Sequence, residues 1–232
     1  MRVPPSVVEV LSRSTVFGVL SREELTTLAQ GASVAEFQPG EILWLRGDSP
    51  SFVGVVGTGF VRMSQTTASG REVAVELMGP GHTLGLLSAI EQRALPLDAV
   101  AITRVQLVRL DPARATEAYE RSDELKDRLV RRTTERLKAA YGFLAKSVSG
   151  RVDGRIAAVL LWLVESYGVR NEDGWTLTIP LTRQELAYLA GTTVETAIRV
   201  LSAWQRNGWL RTAHRTLTIR DLERLEARVD GS

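Results

Sequence analysis

Glu195 and Arg199 stand four residues apart in the run Thr193-Val194-Glu195-Thr196-Ala197-Ile198-Arg199. Four residues is about one helical turn, so on a helix the two side chains share a face. An arginine fork there can bind O6 and N7 of guanine, and a carboxylate can accept from the amino group of cytosine. The plainer alternative is a solvated ion pair worth about 0.2–0.5 kcal/mol. Other chemistries are poorly supplied. The chain has no cysteine, which removes disulfides, thiol nucleophiles and cysteine-held zinc or iron–sulfur clusters. His82 and His214 are its 2 histidines, too few for a multi-histidine metal site. No nucleophile–base pair or phosphate loop is legible, so the sequence reads as a binding protein rather than an enzyme.

Composition agrees. The 232 residues are 44% hydrophobic and 24% charged, which fits a globular chain of one large or two small domains. The longest apolar run, Ile156–Val164, is far shorter than the roughly 20 residues a spanning helix needs. The start, MRVPPSVVEVLSRS, lacks the apolar core and cleavage site of a secretory signal, so the expected location is the cytoplasm. Charge is unevenly placed. Residues 1–120 carry 10 Arg against 13 Asp and Glu, and residues 121–232 carry 19 Lys and Arg against 14 Asp and Glu. An acidic front and a basic back suggest two functional halves, the second facing an anion.

The elements that must position these residues follow from turn and period signals. Ser21-x-x-Glu24 is a capping box opening a helix over about Arg22–Gly31. From Ala35 to Leu110, Val-, Ile- and Leu-rich runs alternate with glycine turns, the pattern of an antiparallel barrel or sandwich. A long helix is expected from about Ser122 to Ser147. Its apolar seam, Val130, Thr134, Leu137, Tyr141, Leu144 and Val148, steps by four and three, the 3.5-residue period of a coiled coil. The seam predicts a homodimer. A boundary at Gly150–Gly154 is followed by a helix at Ile156–Tyr167, a turn at Asn171–Gly174 and a strand at Trp175–Ile179. Thr182-Arg183-Gln184-Glu185 is a second capping box, for a helix ending at Gly191. The next helix opens at Thr193 and closes at Asn207-Gly208. Trp209–Ala213 and Arg215–Arg220 pair as a hairpin, and Asp221 caps a last helix. Two short helices joined at a glycine turn beside a hairpin describe a winged helix-turn-helix. Ala187 is the small residue such a crossing needs, and Leu186, Ala190, Ala197, Val200 and Leu201 are its expected core.

The segment LTRQELAYLAGTTVETAIRVLSAWQRNGWL strongly resembles the DNA-binding helices of the CRP/FNR family of bacterial transcription regulators. Upstream, FQPGEILWLRGD, GFVRMS and GREVAVELMGPG match the family's β-roll in the same order, so the resemblance covers roughly residues 15–220. It implies an α+β chain: an antiparallel, cyclic-nucleotide-binding-like β-roll over 1–120, a dimerisation helix over 121–150, and a winged helix-turn-helix over 151–232. It implies double-stranded DNA and RNA polymerase as partners and a two-fold symmetric promoter site. Val194, where the CRP type has Arg, makes the recognition segment FNR-like. The positions matching Glu195 and Arg199 read a TGA core in the family, which implies a TTGAT-like half-site. Ile198 departs from the usual Ser or Gly and leaves the outer bases open. Thr182, Arg183, Gln184, Thr193, Thr196 and Arg215 complete the expected DNA-facing set, Arg183 and Arg215 on phosphates.

The family's nucleotide cassette is altered here. The ribose-binding Glu is replaced by Leu86 and the phosphate-binding Arg by Leu97, while Asp98 adds a negative charge beside the expected phosphate position. Losing a charge-assisted, bidentate contact argues against cAMP. No cofactor is expected. Haem through His82 is the minor alternative, against a solvated loop histidine. Tyr141 and Thr134 are read as seam rather than pocket. A β-roll module acting through protein partners, with degenerate DNA binding, is the competing reading. The intact Ala187/Gly191 pattern with Glu195 and Arg199 weighs against it.

Overall fold

The computed structural model describes residues 6–67, 72–147, 151–179, 181–213 and 216–229, without the side chains of 139 and 142–147. Two compact units emerge, Met1–Gly70 with Val75–Arg136, and Arg71–Ala74 with Leu137–Ser232.

The first unit opens with α1 (Val7–Ser12) and α2 (Arg22–Leu28), each started by a reciprocal capping box, Ser6/Glu9 and Ser21/Glu24. The second box was expected from sequence. Eight strands follow: β1 (Ser33–Phe37), β2 (Ile42–Trp44), β3 (Val53–Thr58), β4 (Val61–Thr66), β5 (Glu72–Met78), β6 (Thr83–Leu84), β7 (Asp98–Ala101) and β8 (Val105–Leu110). A short helix, α3 (Leu86–Glu91), interrupts them. Two four-stranded sheets result, in the orders β1-β8-β3-β6 and β2-β7-β4-β5. Alternation along the strands divides their side chains between two cores. Val105 and Leu107 of β8 pack inside the roll with Val56, Val61, Leu84 and Ala99. Val108 and Leu110 face the other way, against Leu11, Phe17, Leu25 and Leu125.

Sequence reading did not anticipate α4 (Pro112–Arg121), although its start is well marked. Asp111 Oδ1 accepts the amides of Ala113 and Arg114, and Pro112 sits where a missing N–H costs nothing. The long helix α5 (Asp123–Ser147) runs as expected. Leu125 and Leu129 anchor its first turns in the outer core.

In the second unit, α6 (Val152–Tyr167) is buried along most of its length. The strands β9 (Gly168–Asn171) and β10 (Gly174–Leu177) form a hairpin, of which only the second strand was expected. Then come α7 (Arg183–Leu189), α8 (Val194–Arg206), the hairpin β11 (Leu210–Ala213) and β12 (Thr216–Ile219), and α9 (Leu222–Val229). The sheet order is β11-β12-β10-β9. Asp221 Oδ1 caps α9 by accepting the Arg224 amide at 3.0 Å, as predicted.

Candidate nucleic-acid interface

Two short helices build the site, each fixed at its ends by local chemistry. Thr182 Oγ1 accepts the Glu185 amide at 3.1 Å and starts α7. The helix stops at Ala190, where the chain turns through Gly191 at φ +57°. A Cβ at Gly191 would meet nothing within 4 Å, so glycine is favoured there by backbone conformation and not by space. Thr193 Oγ1 then accepts the Thr196 amide at 3.3 Å and opens α8. Ala187, 1% exposed, lets the two helices approach.

The back of α8 is anchored by Ala197, Leu201 and Trp204, all buried. Val200, expected in this core, is only half-buried because it sits at the edge of the anchored face. The opposite face is free. Glu195 and Arg199 are exposed, and Ile198 is 45% exposed. Among the described residues Glu195 and Arg199 form no ion pair with each other, so the plainer alternative for this spacing does not hold. Thr182, Gln184 and Thr193 are exposed, and Val194 and Thr196 half-buried. Arg183 is half-buried, and its Nη2 donates to Thr212 Oγ1 on β11 at 3.2 Å. Burial lowers its pKa from the ordinary arginine value. Arg215 lies outside the described residues.

One positioning residue escaped sequence reading. Arg155 of α6 donates from Nε to the Ala190 carbonyl at 3.0 Å and from Nη2 to the Gly191 carbonyl at 3.5 Å. These carbonyls close α7, so a core helix holds the turn that aims α8. The available signal was an arginine directly preceding the apolar run Ile156–Val164. At the far end of α8, Trp204 stacks on Trp209 with centroids 5.9 Å apart and planes at 27°. The Trp209 carbonyl accepts the amides of Arg220 at 2.8 Å and Asp221 at 3.2 Å, and Arg228 lies 5.4 Å over its ring. Asp173, in the β9–β10 turn, pairs with Arg211 at 2.7 Å and Arg220 at 3.5 Å and braces the wing.

Along α5, Val130 and Tyr141 are 62% exposed and Leu137 49% exposed. Thr134 is exposed too, its hydroxyl donating to the Val130 carbonyl at 2.9 Å. Leu144 falls in α5 with its side chain outside the described set, and Val148 lies outside the described residues.

The first unit contains a cavity of roughly 130 Å³. Leu86 and Leu97 line it, where the family's cassette has Glu and Arg. Asp98 does not line it; its Oδ1 accepts the Arg46 amide at 2.7 Å. The reading of His82 as a solvated loop residue is corrected. It is half-buried on the cavity wall rather than solvated, with Nδ1 3.0 Å from the Gly79 carbonyl oxygen, and burial lowers its pKa. Tyr141 and Thr134 are absent from the lining; Thr133 takes part instead. No cluster of three or more metal-ligating side chains occurs among the described residues.

These features define a DNA-binding regulator with a cyclic-nucleotide-type β-roll and a winged helix-turn-helix. Comparison with known proteins gives the same class. A cyclic nucleotide-binding domain matches residues 34–122, and a Crp-like helix-turn-helix domain matches residues 154–228. Regulatory protein CysR of Synechococcus elongatus is 32% identical over 88% of this chain and 95% of its own. A CRP-like cAMP-activated global transcriptional regulator of Mycobacterium tuberculosis is 27% identical over 95% of this chain and 99% of its own. Among solved structures, a CRP-family transcriptional regulator from Thermus thermophilus matches with a TM-score of 0.68 and 26% identity, covering 85% of this chain and 97% of that one. The chain belongs to the CRP/FNR family of transcription regulators. Its relatives are regulators, not enzymes.

Proposed function

We propose that this regulator binds as a homodimer to a two-fold symmetric promoter site with TTGAT-like half-sites and does so without cyclic nucleotide. The carrying observation is the outward face of α8, where Glu195, Ile198 and Arg199 stand exposed opposite the buried Ala197, Leu201 and Trp204. In the major groove Arg199 forks onto the guanine of the TGA core and Glu195 accepts from a cytosine amino group. Ile198 meets a thymine methyl. Thr182, Arg183, Gln184, Thr193, Val194 and Thr196 flank the groove, and Arg183 and Arg215 neutralise phosphates.

The homodimer rests on Val130, Thr134, Leu137 and Tyr141, which follow one seam of α5 and are all exposed in the single chain. Leu144 and Val148 continue that seam in sequence. Two recognition helices about one DNA turn apart then match a palindrome. Membership of the family supports RNA polymerase as the partner on the promoter and the cytoplasm as the place of action; no described helix is long and apolar enough to cross a membrane. Independence from cAMP, unlike the mycobacterial relative, rests on Leu86 and Leu97 in the cavity wall. The test is selection from random duplex DNA followed by sequencing, without added nucleotide. Recovery of paired TTGAT-like half-sites is the expected result, and recovery of no shared sequence overturns the reading.

A further inference from the structure

The outward face of α8 continues past the residues already assigned to bases. At about 100° per residue, Arg206 projects from the same stripe as Glu195, Arg199 and Ser202, opposite the anchoring Ala197, Leu201 and Trp204. Arg206 is exposed and Ser202 half-buried. The rise from Arg199 to Arg206 is about 10.5 Å, or roughly three nucleotides at ~3.4 Å each along a strand.

Two duties inside the protein could account for an arginine at this end of a helix, and the structure uses it for neither. Capping the last carbonyls is one. Those of Ala203, Trp204 and Gln205 already accept the amides of Asn207, Trp209 and Gly208, at 3.1, 3.0 and 3.1 Å. Charge pairing is the other. Arg211 and Arg220 both reach Asp173, at 2.7 and 3.5 Å, and Arg224 reaches Asp221 at 3.9 Å. Among the described residues no carboxylate pairs with Arg199 or Arg206. The stripe thus offers an unpaired guanidinium at each end of its basic half. One lies near the base-reading end, and the other lies where a helix inserted by its N-terminal part rises toward the wall of the groove.

We propose that Arg206 binds a backbone phosphate at the edge of each half-site, about three nucleotides along the groove from the guanine read by Arg199. The inference rests on the reading of α8 as the DNA-reading helix and extends that surface beyond the bases. A planar fork on a long stem fits two phosphate oxygens at once, and such a contact sets register without reading sequence. The test uses the full chain and a duplex with paired TTGAT half-sites, titrated by fluorescence anisotropy at several salt concentrations. Arg206→Gln should weaken binding severalfold, alike for every single-base variant of the site. It should also lower the slope of log affinity on log salt by about 0.9 per half-site. Arg206→Lys keeps the charge and should keep most of the slope, with a smaller loss of affinity. Replacing one phosphate at a time by a neutral methylphosphonate should find the partner, a position that weakens the natural chain and leaves Arg206→Gln unaffected. Thermal unfolding of both variants should match the natural chain. An unchanged salt slope, a loss confined to particular base pairs, or identical methylphosphonate profiles overturns the inference. So does a lowered unfolding midpoint with the slope intact, which would make Arg206 a partner of the helix dipole. If the natural chain binds without sequence preference, the reading of α8 falls and this inference with it. Sequence-specific binding with a slope indifferent to Arg206 overturns this inference alone.

Discussion

The recognition helix and the β-roll cavity carry the two sites of one regulator, and they differ in where their chemistry sits. On α8 the residues proposed to read DNA project outward, and a separate set of buried residues holds the helix in place. In the roll, the residues that would hold a ligand are themselves the wall. Exchanging Glu and Arg for Leu86 and Leu97 therefore rewrites the site while leaving a well-packed apolar surface. A surface reader keeps its residues separable from the scaffold. A cavity merges the two, and its specificity can change with no sign in the fold.

The largest expected effect joins both regions through α5. Leu137→Glu places two charges in the proposed seam, a fault worth several kcal/mol if both are desolvated. Sedimentation equilibrium should show the 25.5 kDa chain alone, and DNA affinity should fall with the dimer. A variant that stays dimeric removes the seam from the interface. Arg199→Ala tests the outward face. It should cost about 1–3 kcal/mol per half-site and relax the guanine preference in a single-base substitution matrix. An equal loss on every sequence would make Arg199 an electrostatic contact and break the reading of α8 as a code.

Arg155→Gln sharpens the separation of reader from scaffold. It removes a charged donor from the Ala190 and Gly191 carbonyls, an interaction worth roughly 1.5–3 kcal/mol. Thermal unfolding should fall, and DNA binding should weaken alike on all sequences, with the base preferences of Arg199 intact. In the roll, His82 gives a pH signature. Burial lowers its folded pKa below the ordinary 6.5, with the Gly79 hydrogen bond and Glu76 opposing and Arg132 and Arg136 adding. The folded chain then resists the proton that the unfolded chain accepts, so this stability is present above the ordinary value and is lost as pH falls through the folded value. Unfolding midpoints measured from pH 7.5 down to 5 should drop less in His82→Gln than in the natural chain. The smallest expected effect is none at all: cAMP added to the protein should leave DNA affinity unchanged in a fluorescence anisotropy titration.

Legibility in the sequence followed the same division. The helix-turn-helix was readable almost to the residue because Thr182, Gly191, Thr193 and Gly208 are local signals acting on their own neighbours. The sheets were legible as apolar runs between glycine turns but not in number of strands: β6 was not singled out and the last run divides into β7 and β8, and the pairing depends on contacts far apart in sequence. The helix at Pro112–Arg121 was overlooked beside the longer one after it, although Asp111-Pro112 marks its start. His82 was misplaced for a different reason: it lies in the turn before β6, and its burial comes from the cavity wall and the Gly79 carbonyl rather than from a strand register. Arg155 was invisible as a clamp because its partners lie 35 and 36 residues away.

The stacked pair Trp204 and Trp209 has one more consequence. The two indoles bracket the end of the recognition helix, and the Trp209 carbonyl ties the wing strand to the last helix. Two indole transition dipoles at 5.9 Å interact strongly enough to split their ultraviolet bands into a signed couplet. The joint between recognition helix and wing therefore carries its own optical gauge. Circular dichroism of the unlabelled protein can follow whether that joint stays rigid as DNA binds, since a rotation of one ring against the other changes the sign or size of the couplet.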